Sequence, residues 1–173
     1  MTDADLLAVR FPWRSEQDLI DYRLFEEADQ ARLFLVEVKS SGDCRLNGPW
    51  TDESTSNLTR VLEAIGCFHP DEVRRTATAL YSVGRYRGDA IDALLVAVAS
   101  RRSEELAQVA PGAVQLTWDD IFEFIFDRFR LFRAKKAHHP QWDPQGRRLY
   151  TIARDNRNDF GTFRSRVQGA FFA

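Results

Sequence analysis

The stretch "LFLVEVKSSGD", residues 33–43, is an apolar, strand-like run that breaks off into two opposite charges and then a turn. Side chains along a strand alternate between its two faces. Leu33, Leu35, Glu37 and Lys39 therefore share one face, and Phe34, Val36 and Val38 the other. A strand built this way delivers a carboxylate and an ammonium side by side at its carboxyl end. Upstream, "DLIDYRLF" (18–25) is a second extended run, joined to "ARLFLVEVKS" (31–40) by the acidic "EEADQ". Two such runs with a short polar connection predict an antiparallel hairpin. Asp21 shares a face with Leu19, Arg23 and Phe25, and the hairpin would set it close to Glu37.

Beyond the charges, "SSGDCRLNGPWTDES" (40–54) is rich in Ser, Gly, Asn and Pro and predicts an irregular loop. Leu58, Val61, Leu62 and Ile65 then recur at helical spacing up to Gly66, and Pro70 opens a second helix that ends at Gly84. "AIDALLVAVAS" (90–100) is apolar over strand length, as expected of a strand buried on both faces. A helical "SEELAQVA" and a short strand "AVQLTW" follow. Thr117 can cap the next helix, "WDDIFEFIFDRFRLFRAKK", whose acidic first turn and basic last turn suit the helix dipole. Its expected apolar stripe is Ile121, Phe124, Ile125, Phe129 and Phe132. From His138 onward the chain reads as an irregular segment with a short strand or helix around "LYTIA" and a basic tail; Trp142 would pin that segment to the core.

Length and composition bound the rest. A chain of 173 residues, 44% hydrophobic and 29% charged, is expected to form one globular domain with a real core. Cys44 and Cys67 are too few and wrongly spaced for a disulfide framework or a zinc site. With no export signal and no apolar run of spanning length, the chain reads as a soluble cytoplasmic protein. No Gly-rich phosphate loop or nucleophile elbow is present, and His138-His139 lacks further ligands at metal spacing. Net charge is −2, but residues 1–127 hold 23 acidic and 13 basic residues, while 128–173 hold 3 acidic and 11 basic. Of the 24 basic residues 21 are Arg, whose rigid fork of donors suits phosphate oxygens. Arg128, Lys135, Lys136, Arg147 and Arg148 are thus candidate contacts to a polyanion backbone.

Asp21 and Glu37 at one spot would repel each other unless a divalent cation lay between them. Mg²⁺ suits such a pair because it takes oxygen ligands and keeps several waters. A metal-bound water ionises near neutral pH, and the cation offsets charge building on a phosphate under attack. Lys39, on the same face, can orient or activate that water. The expected chemistry is phosphodiester hydrolysis.

An Asp after an apolar stretch, about fifteen intervening residues and then "EVK" on the next strand resembles the PD-(D/E)xK, or restriction-endonuclease-like, nuclease superfamily. The resemblance covers roughly residues 16–136. It implies an α/β three-layer core with a central mixed sheet, carried here by a single domain 1–173 whose residues 137–173 form a basic extension. It also implies Asp21 and Glu37 as metal ligands together with the main-chain carbonyl of Val38, Lys39 as the catalytic lysine, and Mg²⁺ or Mn²⁺ as cofactor. Ile20 stands where the family often has Pro. Asp18 competes with Asp21 for the ligand role, and Glu16 is a further candidate on a first helix squeezed into the opening residues. The implied activity is that of a DNA endonuclease working as a homodimer or inside a larger complex, as in a defence system against foreign DNA. The alternative is a catalytically silent subunit of the same fold that binds nucleic acid or scaffolds a complex.

Overall fold

The computed structural model describes residues 5–12, 30–133 and 143–172. The chain forms two compact units, Met1–Thr117 and Trp118–Ala173.

The first unit is an α/β fold on a mixed five-stranded sheet. Its strands are β1 (Leu6–Arg10), β2 (Ala31–Val38), β3 (Arg85–Arg87), β4 (Ile91–Ala99) and β5 (Val114–Thr117). The alternation in β2 and the continuous apolar run in β4 bring these two together in parallel, Ala31 opposite Ile91 through Val38 opposite Val98. The far edge of β4 is shared: β3 pairs antiparallel with its first half and β5 parallel with its second. Helices α1 (Gly48–Thr51), α2 (Asn57–Ile65), α3 (Pro70–Val83) and α4 (Glu104–Val109) fill the connections.

Leu33 and Leu35 of β2 and Ala93 and Leu95 of β4 pack with Trp50, Leu58, Val61, Leu62, Val73, Ala77 and Leu80 to form the main core. Further along the same face of β4, Ala97 and Ala99 meet Cys44, Leu106 and Ala110. The opposite face, Phe34, Val36, Leu94, Val96 and Val98, is buried as well. That explains why both strands read as apolar runs.

Helices α2 and α3 end where the glycines predicted, with Gly66 and Gly84 in the left-handed region that lacks a Cβ penalty. Gly84 has a second reason to be Gly. With φ at +77°, a Cβ there would lie 2.7 Å from Ala113 in the turn that leads into β5.

Three expectations are corrected. The antiparallel neighbour of β2 is β1, with Leu6 opposite Val36 and Arg10 opposite Arg32, and β4 takes the other edge. Both edges of β2 are thus taken by described strands, and the expected hairpin partner, residues 18–25, lies outside the described residues. Second, 40–54 is only partly irregular: it contains α1, a 3₁₀ turn at Glu53–Thr55 and a Trp50 that is 2% exposed.

The third correction concerns the C-terminal part. Where an irregular segment and a basic tail were expected from His138 onward, the described residues 143–172 are mostly helical, and the unit from Trp118 holds α5 (Trp118–Leu131), α6 (Pro144–Asp155) and α7 (Phe160–Phe171). Phe122, Phe126, Ala153, Phe163 and Val167 are its buried centre. The stripe of α5 is thus centred on Phe122 and Phe126, with Trp118, Ile125 and Phe129 at its margin. Capping explains why the tail is helical despite Gly146, Gly161 and Gly169. Asp143 accepts from the backbone N–H groups of Gln145 and Gly146, with Pro144 in the first turn. Asp159 accepts from the N–H and hydroxyl of Thr162. Among the described residues no helix is long and apolar enough to cross a membrane.

The Asp159 cap predicts a pH effect. Hydrogen bonds from the Thr162 hydroxyl and then its backbone N–H hold the Asp159 carboxyl below its ordinary value of 3.8. A depressed folded pKa gives stability that is present above the unfolded value and lost as pH falls through the folded one. Asp159→Asn keeps a capping side chain but cannot titrate. Thermal melts of α7 should therefore fall less in that variant than in wild type between about pH 5 and about pH 2. Equal falls would show that the cap carries no pH-dependent stability.

Candidate functional site

Glu37 lies at the carboxyl end of β2, on the face that carries Leu33 and Leu35, as the alternation predicts. The chain then leaves the strand but stays registered to β4. Lys39 N–H donates to Val98 O at 2.8 Å, Arg101 N–H to Gly42 O at 3.0 Å, and Cys44 N–H to Arg101 O at 2.7 Å. Gly42, at φ +81°, makes the bend possible. Asp43 and Arg101 close the crossing with an exposed ion pair at 2.7 Å, which raises the Arg101 pKa above its ordinary value. The buried Cys44 thiol faces the carbonyls of Ala97 (3.4 Å) and Leu116 (3.6 Å).

This pinned loop delivers Asn47-Gly48-Pro49-Trp50 over the end of the sheet. Pro49 sits in the first turn of α1, and Trp50 drops into the main core. Its indole N–H donates to Glu37 Oε2 at 2.8 Å. Glu37 Oε1 accepts from both the Lys39 ammonium and the Asn47 side-chain amide. Glu37 is only 5% exposed, and the Lys39 side chain is 22% exposed. A buried carboxylate is costly unless paired and hydrogen-bonded, and this one has both kinds of partner.

A second carboxylate reaches the same strand end. Asp5, one residue before β1, accepts a hydrogen bond at 2.7 Å from the N–H of Val38, the amide that joins Val38 to Glu37. Continuing the β1–β2 register places residue 5 opposite residue 37. The end of β2 thus gathers Asp5, Glu37, Val38 and Lys39, with Asn47 and Trp50 from the loop.

The expected ligand Asp21, and Glu16 and Asp18 with it, lie outside the described residues, as do Lys135 and Lys136. Arg128, Arg147 and Arg148 all lie in the C-terminal unit. Arg147 is exposed on α6; Arg148 packs over the Phe171 ring at 5.4 Å; Arg128 lies over the rings of Phe124 (5.7 Å) and Phe132 (4.8 Å). Such stacking fixes the plane of a guanidinium.

Sequence reasoning missed Asp5, Asn47 and Trp50. A lone Trp inside an otherwise polar loop is a signal for a buried anchor, and it was legible at Trp50. Asp5 precedes a run, "LLAVR", too short to declare its partner strand.

As for a metal, no group of three or more His, Cys, Asp or Glu side chains that could hold one forms among the described residues. The all-oxygen donors Asp5, Glu37 and the Val38 carbonyl nonetheless suit a hard cation such as Mg²⁺, which binds through one or two carboxylates and completes its shell with water and phosphate. No family model, curated protein or solved structure matches the chain. The functional reading accordingly rests on the chemistry at the end of β2.

Proposed function

We propose that the carboxyl end of β2 is a metal-dependent phosphodiesterase site, and that the chain is a nuclease, in the first instance a DNA endonuclease, on a restriction-endonuclease-like core. The observation that carries this reading is the contact of Glu37 with Lys39 at that strand end, with Asp5 bonded to the amide between Glu37 and Val38. The mixed α/β sheet is compatible with such a core. Carboxyl ends of parallel strands are also where open α/β sheets gather their sites.

In this reading Asp5, Glu37 and the Val38 carbonyl would hold Mg²⁺ or Mn²⁺, with Asp21 retained as a further candidate. A cation held there would supply an ionised water and offset charge on the phosphate. Lys39 donates a hydrogen bond to the attacking water and steadies a phosphate oxygen. Asn47 and Trp50 keep the Glu37 carboxylate in one orientation. The C-terminal unit, with 11 basic and 7 acidic residues, contacts the nucleic-acid backbone, and a homodimer or a larger assembly completes the binding surface.

Supercoiled plasmid tests this directly. Wild-type protein should nick or linearise it with Mg²⁺ and not with EDTA, and Glu37→Gln should abolish cutting. Cutting that survives in EDTA, or in Glu37→Gln, would sink the reading.

One observation favours a second reading. Glu37 is engaged by three donors, as a purely structural anchor for the 40–55 loop would be. A catalytically silent subunit that binds nucleic acid or scaffolds a complex would then shift plasmid mobility without cutting under any divalent metal.

A further inference from the structure

We infer that Lys39 is an internal counter-cation which a divalent metal must displace from Glu37, while Asn47 and Trp50 are positioning residues that hold the carboxylate during the exchange. This rests on the metal-site reading above and adds a regulation of the same site.

The argument is a count of lone pairs. An ionised carboxylate offers about four acceptor positions, two on each oxygen. Lys39 and Asn47 both donate to Oε1, which fills that oxygen. Trp50 takes one position on Oε2, leaving one. With Lys39 in place, the carboxylate can therefore offer a metal a single position on Oε2, beside a positive charge that repels the metal. Once the ammonium swings off, one position on Oε1 opens as well, beside the Asn47 donor, and the like charge no longer sits on the carboxylate.

The other two donors differ in kind from Lys39. They are neutral and come from a loop fixed by backbone bonds to Arg101, just past β4, and by the burial of Trp50, so they have no reason to leave when a cation arrives. A lysine suits the mobile role because its ammonium rides on a flexible four-carbon stem. The arrangement keeps a buried carboxylate neutralised before the metal binds. It also makes the ammonium available, on displacement, in the neighbourhood of the metal's water.

The test is Mn²⁺ binding, measured as free Mn²⁺ by electron paramagnetic resonance, with the emission of Trp50 as a second readout. Glu37→Gln defines the background. Lys39→Met should bind Mn²⁺ about tenfold tighter than wild type or more, because a competing like charge a few ångströms away is removed. Lys39→Arg keeps the charge and should show no tightening. Lys39→Gln serves if the Met variant does not fold. Wild-type emission should change on Mn²⁺ addition, and Trp50→Phe should lose that change. Asn47→Ala in the Lys39→Met background should weaken binding again severalfold.

If wild type binds Mn²⁺ in a Glu37-dependent way but removing Lys39 leaves affinity equal or lower, the counter-cation role is overturned and the metal site stands. If Asn47→Ala leaves affinity unchanged, the positioning role is overturned. If neither wild type nor the Lys39 variants bind Mn²⁺ above the Glu37→Gln background, the metal-site reading itself fails.

Discussion

Lys39→Met protein should cut plasmid about 10²–10⁴-fold more slowly than wild type, the range typical of losing one positioned proton-transfer or water-orienting group. The reason lies in where the side chain stands. Lys39 follows Glu37 by two residues, so the pleat puts both on one face, and its ammonium touches the carboxylate oxygen that would face a metal. Met matches the stem in length and apolar packing but donates no hydrogen bond. On the proposed function the loss should fall on kcat, since water orientation matters at the chemical step, whereas binding to a DNA backbone would rest on the basic residues of the C-terminal unit. Substitution also removes a partner of Glu37, yet Asn47 and Trp50 still donate to that carboxylate, so the variant should remain folded. Circular dichroism superimposable on wild type, together with a kcat within twofold of it, would remove Lys39 from the chemistry.

The second large effect is on stability. Phe163 is fully buried at the centre of the C-terminal unit, with its ring 5.1 Å from Phe126 and 6.3 Å from Phe160 between centroids. Phe→Ala in a packed core costs about 3–5 kcal/mol through lost transfer energy and the cavity left behind. A unit of 56 residues, Trp118–Ala173, has on the order of 3–8 kcal/mol to lose. Phe163→Ala should therefore unfold α5–α7 or bring them to the edge of unfolding at room temperature. Loss of helical circular dichroism and of the near-ultraviolet signal of Trp118, which packs on Phe122 and Phe172, would report it. A urea-derived cost below about 1 kcal/mol would mean that these helices do not depend on one aromatic centre.

Much of the first unit could be read from sequence because its signals are local. The alternation in 33–39 assigned Leu33, Leu35 and Glu37 to one face, and the packing of Leu33 and Leu35 with Trp50 and of Glu37 against the Trp50 indole agrees. Gly66, Pro70 and Gly84 bounded two helices because caps act within a few residues. Strand partners are another matter. Sequential strands usually pair, which favoured 18–25 as the neighbour of β2, whereas the neighbour is "LLAVR" more than twenty residues upstream. Nothing in five residues of ordinary apolar pattern announces so distant a pairing.

The C-terminal unit was obscured differently. Its glycines and prolines look like breakers, but Asp143-Pro144 and Asp159 with Thr162 begin helices rather than end them. In α5, Phe at 122, 124, 126 and 129 surrounds the helix, so spacing alone could not choose the buried side; only packing against α6 and α7 does. At the candidate site, Glu37 and Lys39 were legible from the pleat, while Asp5, Asn47 and Trp50 come from segments that only the folded chain brings to the end of β2.

The most direct measurement is a crystal of this protein soaked in Mn²⁺, with anomalous density located. The account predicts a peak at the carboxyl end of β2, about 2.1 Å from a Glu37 carboxylate oxygen and within coordinating reach of a second carboxylate, with Lys39 turned away from Oε1. Strong Mn²⁺ peaks elsewhere, with Glu37 still held by Lys39, Asn47 and Trp50 at saturating metal, would contradict it.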